Sequence, residues 1–500
     1  MADAGEESVD RGIRAALEGL GAGVPEGVGA LAGITHDSRR AGPGVVFVAV
    51  PGFKRDGLDF APEAVRRGSP LVVAERDPGD LGAPVAVVPD AREALARLAR
   101  EAHGRPSDSL LVYGITGTNG KTTTSYALYR ILREAFGEEK CGLMTTAETI
   151  VGGERTQSVR TTPESTEVQE TLAKMREAGV ERVVMEVSSH GVSLKRVLGV
   201  RFSGALFTNL TRDHLDLHGT MEEYYRAKRG LFYMTEPGAP KLANAEDGWG
   251  RRLAREVGGV RTFGVHPEAD YRVEAVRPAA GGTEFTLWHP EGRIELSTPL
   301  LGAYNVANVA GAASLALAAG VGESEVVRAV GAMEQVPGRF ERVSGVEGFE
   351  VIVDYAHTDV GLRAVLEVAR GVARGRVICA FGAAGERDAA KRPLMGKVAS
   401  QLADVCIVTT DDAYGESPEK IAREVASGIR PGSEARVIID RREAIEAAIR
   451  EARFGDVVVI AGKGHERVQH LPEGDVPFHD ASVAREVLEE LASGRASGRR

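Results

Sequence analysis

The chain has 500 residues, of which 43% are hydrophobic and 27% are charged, proportions that are ordinary for a globular protein. At roughly 100–200 residues per domain, this length predicts about two to four domains. Lysine and arginine number 62 against 72 aspartate and glutamate, a net charge of −10, which argues against broad electrostatic binding to nucleic acid or to an anionic membrane surface. A small local anion site remains compatible with this charge.

Three cysteines lie far apart in the chain and form no C-x-x-C pair: Cys141, Cys379 and Cys406. Neither a disulfide framework nor a thiolate zinc site is therefore expected. The first residues are acidic and polar, and the most apolar long stretch, Val309–Val321, is shorter than the roughly 20 residues that a bilayer span needs. These features predict a cytoplasmic protein with no membrane insertion.

The chain divides into three regions and a tail. Residues 1–105 hold short apolar runs between helical patterns and end in a Gly/Pro cluster typical of a linker. Residues 106–336 open on the apolar run Leu110–Ile115. Residues 337–492 alternate five apolar runs with helical patterns, which predicts an open, mainly parallel α/β sheet. The basic, glycine-rich residues 493–500 predict a disordered tail.

The strongest local pattern is GTNGKTT at residues 117–123, between an apolar strand and a helical pattern. This order is typical of a phosphate-binding loop, in which glycines let backbone N–H groups point at phosphate oxygens and the helix N-terminus attracts negative charge. Lys121 would neutralise phosphate charge and the Thr122 hydroxyl would bind Mg²⁺. Ile115 stands where a strict Walker A loop has its first glycine. The pattern predicts ATP binding.

Candidate metal ligands follow the loop. Glu186 ends an apolar run, the position of a Walker-B-like Mg²⁺ ligand, although a charge at a strand exit is also common. Asp213, His214, Asp216 and His218 crowd the segment DHLDLH; Mg²⁺ prefers oxygen, so one imidazole ligand fits there better than several. The spacing around Lys228 alone indicates a solvated helix face.

Several motifs together resemble the Mur ligases of peptidoglycan synthesis. They are GTNGKTT (117–123), TTPE (161–164), EVSSHG (186–191), TNLTRDHLDLHG (208–219), GAYNVANVAGA (302–312), PGRFERV (337–343), VDYAHT (353–358) and GKGHE (462–466). DSR at residues 37–39 with the following GPGVVFVAVPGFKRDG resembles the amino-terminal UDP-binding domain of one branch of the family. The resemblance implies three α/β domains: an N-terminal UDP-binding domain (1–105), a central P-loop ATPase domain (106–336) and a C-terminal doubly wound, Rossmann-like domain (337–492).

The resemblance also implies an activity. In that branch, ATP phosphorylates the γ-carboxylate of D-Glu in UDP-N-acetylmuramoyl-L-alanyl-D-glutamate, and the amine of a diamino acid attacks the acyl phosphate to form an amide. The enzyme is then an ATP-dependent acid–amino-acid ligase with Mg²⁺ as cofactor. We expect it to act as a monomer.

Site residues are implied by the same motifs. Lys121, Lys228, His214 and Glu186 would be catalytic, with Thr122 and Glu186 binding one Mg²⁺ and His214 and a CO₂-derived carbamate on Lys228 binding a second. The implied ATP contacts are Gly117, Thr118, Asn119, Gly120, Lys121, Thr122, Thr123, Asn305, Asn308, Arg339, Asp354 and His357. The implied UDP-substrate contacts are Ser38, Thr161, Thr162, Ser188 and Arg196, and the implied amino-acid contacts are Arg387, Asp411, Asp412, Tyr414, Gly462 and Glu466.

The chain departs from the family pattern where the amino acid is chosen. Members that use meso-diaminopimelate typically carry D-N-P-R, whose arginine holds the distal carboxylate, whereas this chain has Tyr414 in its place. Asp411, Asp412 and Glu466 make the pocket acidic, which favours L-lysine or L-ornithine. Meso-diaminopimelate stays open as an alternative, with Arg387 serving its carboxylate.

Two other departures are Leu194, where relatives often have glutamine, and Asp359, where proline is common.

Two rival functions also follow from the same motifs. Another amide ligase of the superfamily, of the folylpolyglutamate or cyanophycin type, would lack the amino-terminal UDP-binding pattern. A nucleotide-dependent switch protein would not need Lys228, His214 and Glu186 together.

Overall fold

The computed structural model describes residues 2–52, 55–158, 160–279, 281–343 and 348–497. Within these ranges, no helix is long and apolar enough to cross a membrane. Three units follow one another, each built on its own sheet, and the sheets have four, eleven and six strands. A two-stranded hairpin completes the third unit.

The first unit is a small parallel sheet in the order β1-β2-β3-β4. Its strands are β1 Gly33–Thr35, β2 Val45–Val48, β3 Val72–Ala74 and β4 Val85–Val87, and its helices are α1 Ala2–Gly19, α2 Ala61–Arg66 and α3 Ala91–Ala102. Helix α3 begins where the Asp90 carboxylate accepts the Glu93 N–H at 2.8 Å, and its buried alanines and leucines repeat at helical spacing. Three of the four strands coincide with the predicted apolar runs, and β1 is additional.

The second unit carries a mixed sheet in the order β15-β14-β13-β12-β11-β10-β5-β9-β6-β7-β8. Its strands are β5 Leu111–Thr116, β6 Cys141–Met144, β7 Glu148–Val151, β8 Glu154–Gln157, β9 Arg182–Glu186, β10 Phe202–Phe207, β11 Lys241–Asn244, β12 Val260–Gly264, β13 Tyr271–Ala279, β14 Gly282–His289 and β15 Gly292–Thr298. Its helices are α4 Lys121–Phe136, α5 Ser165–Glu177, α6 Ser189–Ser193, α7 Leu215–His218, α8 Met221–Tyr233, α9 Gly248–Glu256, α10 Ala303–Ala318 and α11 Glu323–Gly331.

The central strands of this sheet, from β12 to β6, are parallel and are covered on both faces. Helices α4 and α10 contribute to the apolar core on one face, and α5, α8 and α9 contribute to the core on the other. Ile115 pairs with Leu206 on one side and with Glu186 on the other, so strands β10, β5 and β9 end at the same edge of the sheet. That edge gathers the loops after all three strands, where ligands bind in such sheets.

The third unit is a sheet in the order β16-β17-β21-β18-β19-β20, in which only β16 is antiparallel to its neighbour. Its strands are β16 Glu341–Val343, β17 Glu350–Asp354, β18 Val377–Phe381, β19 Val405–Val408, β20 Glu434–Val437, β21 Val457–Ala461, β22 Val468–Leu471 and β23 Gly474–Pro477. Its helices are α12 Asp359–Val372, α13 Lys391–Leu402, α14 Pro418–Ala426, α15 Arg441–Glu451 and α16 Asp480–Ser497.

Helices α12, α13 and α14 pack on one face of this sheet and α15 and α16 on the other, which confirms the predicted doubly wound α/β class. Every residue of β18 and β21 is buried, as is every residue of β17 after the exposed Glu350, because a parallel sheet is covered on both sides. Helix α16 continues to Ser497, into the range 493–500 where disorder was predicted, because packing of its earlier turns on the sheet supports the helix. Residues 498–500 lie outside the described ranges.

Candidate active site

A cavity of about 810 Å³ opens where the second and third units meet. The residues on its wall include most of those that the family motifs imply: Thr118, Asn119, Gly120, Lys121, Thr122, Thr123, Thr161, Glu186, His214, Asn308, Arg339, Asp354, His357, Arg387, Asp411, Asp412, Tyr414, Gly462 and Glu466. Two ends can be distinguished. The nucleotide end is the loop 117–123 with its neighbours, and the amino-acid end is formed by Arg387, residues 411–414 and residues 462–466.

The loop at the nucleotide end can only be built with glycine at two positions. Gly117 and Gly120 have φ angles of +149° and +84°. A Cβ at Gly117 would lie 1.8 Å from the Thr208 Oγ1, and one at Gly120 would lie 2.2 Å from the Asn308 Oδ1. The loop therefore packs against the segment that follows β10 and against α10. This packing is so close that only a residue without a side chain fits at the two positions.

Lys121 begins α4 and its amine lies against the loop itself. The Nζ donates to the carbonyl oxygens of Gly117 at 3.1 Å and Thr118 at 3.0 Å. Burial lowers the pKa of Lys121. A cation in this place, beside the N-terminus of a helix, would attract the phosphates of a nucleotide.

Lys228, on α8, is buried beneath the loop, which corrects the solvated position that spacing alone indicated. Its side chain is covered because α8 packs its apolar face on the sheet around Tyr224 and Leu231. The Nζ donates to the Gly117 carbonyl at 2.6 Å and lies 4.7 Å from the centre of the Tyr224 ring. Burial, together with the charge of Lys121, lowers the pKa of Lys228 well below its ordinary value.

Oxygen and imidazole donors face the loop across the cavity. Glu186 is fully buried at the end of β9 and accepts the Thr146 N–H at 3.2 Å and the Thr146 hydroxyl at 3.1 Å. His214 follows Asp213 in a left-handed backbone conformation, with φ of +53°, and burial lowers its pKa to about 3, so its ring is neutral at pH 7. A carboxylate, the Thr122 hydroxyl and a neutral imidazole are donors that Mg²⁺ accepts.

The third unit closes the nucleotide end through Arg339. Its guanidinium donates to the Thr122 Oγ1 at 2.9 Å and lies 4.4 Å from the centre of the Tyr355 ring. Asp354 fixes the same segment, because its carboxylate accepts the Phe340 N–H at 2.6 Å and the Ala356 N–H at 2.7 Å. Asp354 is thus engaged with backbone groups, and burial raises its pKa.

His357 and the asparagines of α10 complete this end. His357 lies on the wall, with its Nε2 4.0 Å from the Asp213 Oδ2. Asn308 faces the cavity, whereas Asn305 lies behind it and donates to the Leu301 carbonyl at 2.8 Å. Three of the implied residues at this end do not line the cavity wall: Gly117, Asn305 and Lys228.

The amino-acid end is acidic, as the sequence indicated, but a buried lysine balances part of that charge. Asp411, Asp412 and Glu466 offer carboxylate oxygens within 4.8 Å of one another. The Lys463 Nζ contacts Asp412 at 2.7 Å and Glu466 at 2.8 Å, and this pairing raises the pKa of Lys463 despite its burial. Because the lysine already neutralises part of the cluster, fewer negative charges remain for a substrate than the three carboxylates suggest.

The second buried cation at this end is Arg441, at the start of α15. It forms a fully buried ion pair with Asp480 at 2.7 Å and donates to the carbonyls of Thr410 at 3.2 Å and Ala461 at 3.1 Å. Gly462 is required beside it, because a Cβ there would lie 2.5 Å from the Asp411 Oδ2. Arg441 therefore joins the ends of two strands beneath the acidic cluster.

Of the residues implied to contact the UDP substrate, three form one network behind Glu186. The Thr162 Oγ1 donates to the Glu186 carbonyl at 3.1 Å and accepts the Ser188 N–H at 3.0 Å. Arg196 donates to the Thr162 carbonyl at 3.2 Å. Ser38 lies apart in the first unit, where its hydroxyl donates to Glu63 at 2.8 Å.

Several wall residues were not identified as site residues from the sequence. Thr146, which holds Glu186, follows a short strand and belongs to none of the motifs considered. His190 lies within EVSSHG and its ring meets the His214 ring at 4.7 Å. Lys391 follows Arg387 by four residues and also lines the cavity. His190 could have been found from its motif, whereas Lys391 and Thr146 belong to none of the motifs.

Comparison with known proteins identifies the family. Three family models match in order: "Mur ligase family, catalytic domain" at residues 30–103, "Mur ligase middle domain" at 115–316 and "Mur ligase, glutamate ligase domain" at 338–464. A UDP-N-acetylmuramoyl-L-alanyl-D-glutamate–2,6-diaminopimelate ligase of Solibacter usitatus is 44% identical over 91% of this chain and 93% of its own length. The chain belongs to the Mur ligase family.

Further relatives agree with this assignment. A ligase of the same name from Gloeobacter violaceus is 42% identical over 93% of this chain and 95% of its own. A solved structure of a 2,6-diaminopimelate ligase is 30% identical, with a TM-score of 0.63 over 93% of this chain and 96% of that one. The chain is an ATP-dependent amide ligase of the MurE type, the branch of the Mur ligases to which these relatives belong. The predicted preference for lysine or ornithine finds no support among them.

Proposed function

We propose that this Mur ligase joins a diamino acid to the γ-carboxylate of D-Glu in UDP-N-acetylmuramoyl-L-alanyl-D-glutamate, as a monomer in the cytoplasm. The observation that carries the proposal is the shared cavity, which has a phosphate-loop lysine at one end and a cluster of three carboxylates at the other. A site that takes ATP and a positively charged amine into one cavity suits the joining of an activated acid to an amine.

The chemistry needs activation because a carboxylate is a poor electrophile at neutral pH. Transfer of the ATP γ-phosphoryl group to the γ-carboxylate gives an acyl phosphate and ADP. The neutral amine of the diamino acid then attacks the acyl carbon, phosphate leaves with the electrons of the C–O bond, and the amine loses a proton. Lys121 and Arg339, whose side chains point at the loop and the Thr122 hydroxyl, would hold the phosphates during both steps.

Magnesium, when bound, would neutralise phosphate charge. Thr122 and Glu186 suit one ion, since a hydroxyl and a carboxylate are hard oxygen donors. His214 suits a second ion only together with another donor. The remaining role of these residues would be to orient the phosphates and keep the reacting oxygen in line with the loop.

The other donor would come from Lys228. An amine reacts with CO₂ only when it is neutral, and burial lowers the pKa of Lys228. Carbamylation of the neutral amine would form an N–C bond, release one proton and leave an anionic oxygen ligand in place of the amine. Bicarbonate-free buffer should then lower the ligase rate, and added bicarbonate should restore it. A mass spectrum or ¹³C NMR spectrum without a labelled carbamate under saturating ¹³C-bicarbonate would contradict this assignment.

We propose 2,6-diaminopimelate as the amino acid. The relatives named above support it, and so does Arg387, which lines the amino-acid end. Among the described residues, no carboxylate forms an ion pair with Arg387, which leaves its guanidinium for a carboxylate of the substrate. The acidic cluster would receive the distal ammonium group.

The three units divide the work in this proposal. Residues 1–105 would bind the UDP end of the substrate through Ser38, residues 106–336 would bind ATP, and residues 337–492 would bind the amino acid. Thr161, Thr162, Ser188 and Arg196 would extend the substrate site from the first unit towards Glu186.

The test is a panel assay on the purified chain. UDP-N-acetylmuramoyl-L-alanyl-D-glutamate and MgATP are offered with meso-diaminopimelate, L-lysine or L-ornithine, and both phosphate release and amide product are measured. We expect amide formation with meso-diaminopimelate at the highest kcat/KM. Product with L-lysine alone would overturn the choice of amino acid, and ATP hydrolysis without any amide would favour the switch-protein alternative. Activity on a folate or cyanophycin acceptor would favour the other ligases of the superfamily.

A further inference from the structure

We propose that Tyr414 and His470 are positioning residues that hold Arg387 for the distal carboxylate of the amino acid. The inference deepens the proposed function and rests on it. Tyr414 contacts both an arginine and a histidine, and by the D-N-P-R motif of the family resemblance it takes the place of that motif's arginine. The structure thus offers a three-residue assembly in place of a single cation.

The Tyr414 ring lies between the cavity and the hairpin of β22 and β23. Arg387 and Tyr414 both line the cavity. The Arg387 guanidinium carbon lies 5.5 Å from the centre of the Tyr414 ring, a distance at which the face of the ring attracts a cation. Arg387 itself is exposed, so without this contact its long side chain would sample many rotamers.

His470 supports the tyrosine from the hairpin. The two rings stack with their centres 5.1 Å apart and their planes 12° apart. His470 is fixed in turn, because its Nδ1 lies 2.7 Å from the Asp475 Oδ1 across the hairpin. The ring of Tyr414 therefore has a defined orientation.

The backbone fixes the same arrangement. Tyr414 has φ of +49°, a conformation that is uncommon for a residue with a Cβ, and its N–H donates to the His470 carbonyl at 3.0 Å. The His470 N–H donates to the Asp412 Oδ1 at 2.9 Å. The hairpin is thus tied at two points to the segment that forms the amino-acid end, and the strained tyrosine is held by these bonds.

We assign the distal carboxylate of the amino acid to Arg387 because the other cations at the amino-acid end are already paired. Lys463 is occupied by Asp412 and Glu466, and Arg441 is paired with Asp480 beneath the cluster. A diamino acid with a second carboxylate needs a cation that faces the cavity and is not already paired. Within the described ranges, Arg387 fulfils both conditions and also contacts the Tyr414 ring. Lys391 lines the cavity too, but its charge acts at the nucleotide end, where it lowers the pKa of Asp213 and of His357.

The experiment compares kcat/KM for meso-diaminopimelate and L-lysine in the full-length wild type and in variants. Tyr414→Ala is expected to lower the diaminopimelate-to-lysine ratio about three- to tenfold, through KM for diaminopimelate, and to leave KM for ATP unchanged. Tyr414→Phe keeps the ring and should keep the ratio. His470→Ala should lower the ratio by a smaller factor. In an Arg387→Met background, Tyr414→Ala should have no further effect on the ratio, because the two residues act as one unit.

Tyr233→Ala provides a matched control. Tyr233 is an exposed tyrosine with an arginine, Arg229, 5.4 Å from its ring, and it lies outside the cavity wall. Its replacement should leave both substrates unaffected. If the wild type prefers diaminopimelate and Tyr414→Ala does not change the diaminopimelate-to-lysine ratio, this inference is overturned but the proposed amino acid is not. A wild type that uses L-lysine but not diaminopimelate overturns the proposed amino acid, and the inference with it.

Discussion

The two ends of the cavity hold charge in opposite ways. At the nucleotide end, the amines of Lys121 and Lys228 lie against backbone carbonyls, and burial lowers the pKa of both. At the amino-acid end, the buried lysine and arginine pair with carboxylates, Lys463 with Asp412 and Glu466 and Arg441 with Asp480. Amines without a carboxylate partner leave positive charge available for the phosphates of a nucleotide. A network of ion pairs instead keeps the pocket in one shape when the small zwitterionic amino acid binds.

The largest effect should come from removing the loop cation. Lys121→Met is expected to lower kcat of the ligase about 10²–10³-fold, because charge on the transferring phosphoryl group is no longer neutralised. KM for the diamino acid should hardly change, which would separate the two ends functionally. Steady-state assays with ATP and amino acid varied in turn measure both. Lys140→Met, at a half-buried lysine outside the cavity wall, is the control, and an equal loss in that variant would contradict the prediction.

Glu466→Gln should impair the amino-acid end of the cavity. The substitution removes a carboxylate that contacts Lys463 and accepts the Tyr355 hydroxyl at 3.1 Å. KM for the diamino acid should rise about 10–100-fold, because a charged hydrogen bond is lost, while KM for ATP stays within about twofold. Glu473→Gln, in the hairpin turn, should behave as wild type. A rise in KM for ATP of similar size would show that the two ends are not independent.

A third change separates the function of Lys228 from its cost to stability. In the unfolded chain this lysine is protonated at pH 7, whereas burial disfavours its charge in the folded chain. Lys228→Met should therefore raise Tm of the nucleotide-free protein in CO₂-free buffer by about 2–4 °C, while the ligase activity is lost. Thermal unfolding followed by circular dichroism gives the measurement, with the exposed Lys174→Met as control. A lower Tm would mean that the amine is charged and stabilising.

The smallest expected effect is on acid stability. Burial lowers the pKa of His465 to about 3, so between its ordinary value near 6.5 and about 3 the unfolded chain binds more protons. Stability should therefore fall as pH drops through this window. His465→Gln should make the fall less steep, and the half-buried His266→Gln should not. Urea unfolding at pH 7, 6, 5 and 4 measures the slopes, and identical slopes in all three proteins would contradict the assignment.

The nucleotide end could be predicted well because its information is local. Strand, glycine loop and helix follow one another within residues 111–136, and glycine is required at Gly117 and Gly120 by close contacts that the pattern anticipates. Glu186 and His214 were predicted for a similar reason, since Glu186 ends a strand and His214 lies in a short motif. Both line the cavity, and their roles as metal ligands stay predictions. The three-unit α/β fold followed from alternating apolar runs and from the family motifs.

The amino-acid end could be predicted only in part, because it depends on pairings across long separations. At the nucleotide end, spacing wrongly predicted a solvated Lys228, because burial of that side of α8 depends on packing against the sheet. Lys463 lies within GKGHE, but its ion pair with Asp412 has no signal in the sequence, and it neutralises part of the acidic cluster on which the lysine or ornithine prediction depended. Arg441 has no signal of its own, and it pairs with Asp480 beneath that cluster. The number of carboxylates in the pocket can be read from the sequence. Their net charge cannot, because it depends on which cations pair with them in the folded chain.

The pair of Arg441 and Asp480 has a consequence for how the enzyme is made. Asp480 opens the last helix, α16, and its carboxylate holds the arginine that joins two strands beneath the acidic cluster. Chains fold from the N-terminus during synthesis, so the nucleotide loop can form while the ribosome is still translating the third unit. The amino-acid end is completed only after Asp480 has been synthesised. A nascent or truncated chain could therefore possess its phosphate loop without a finished pocket for the amine.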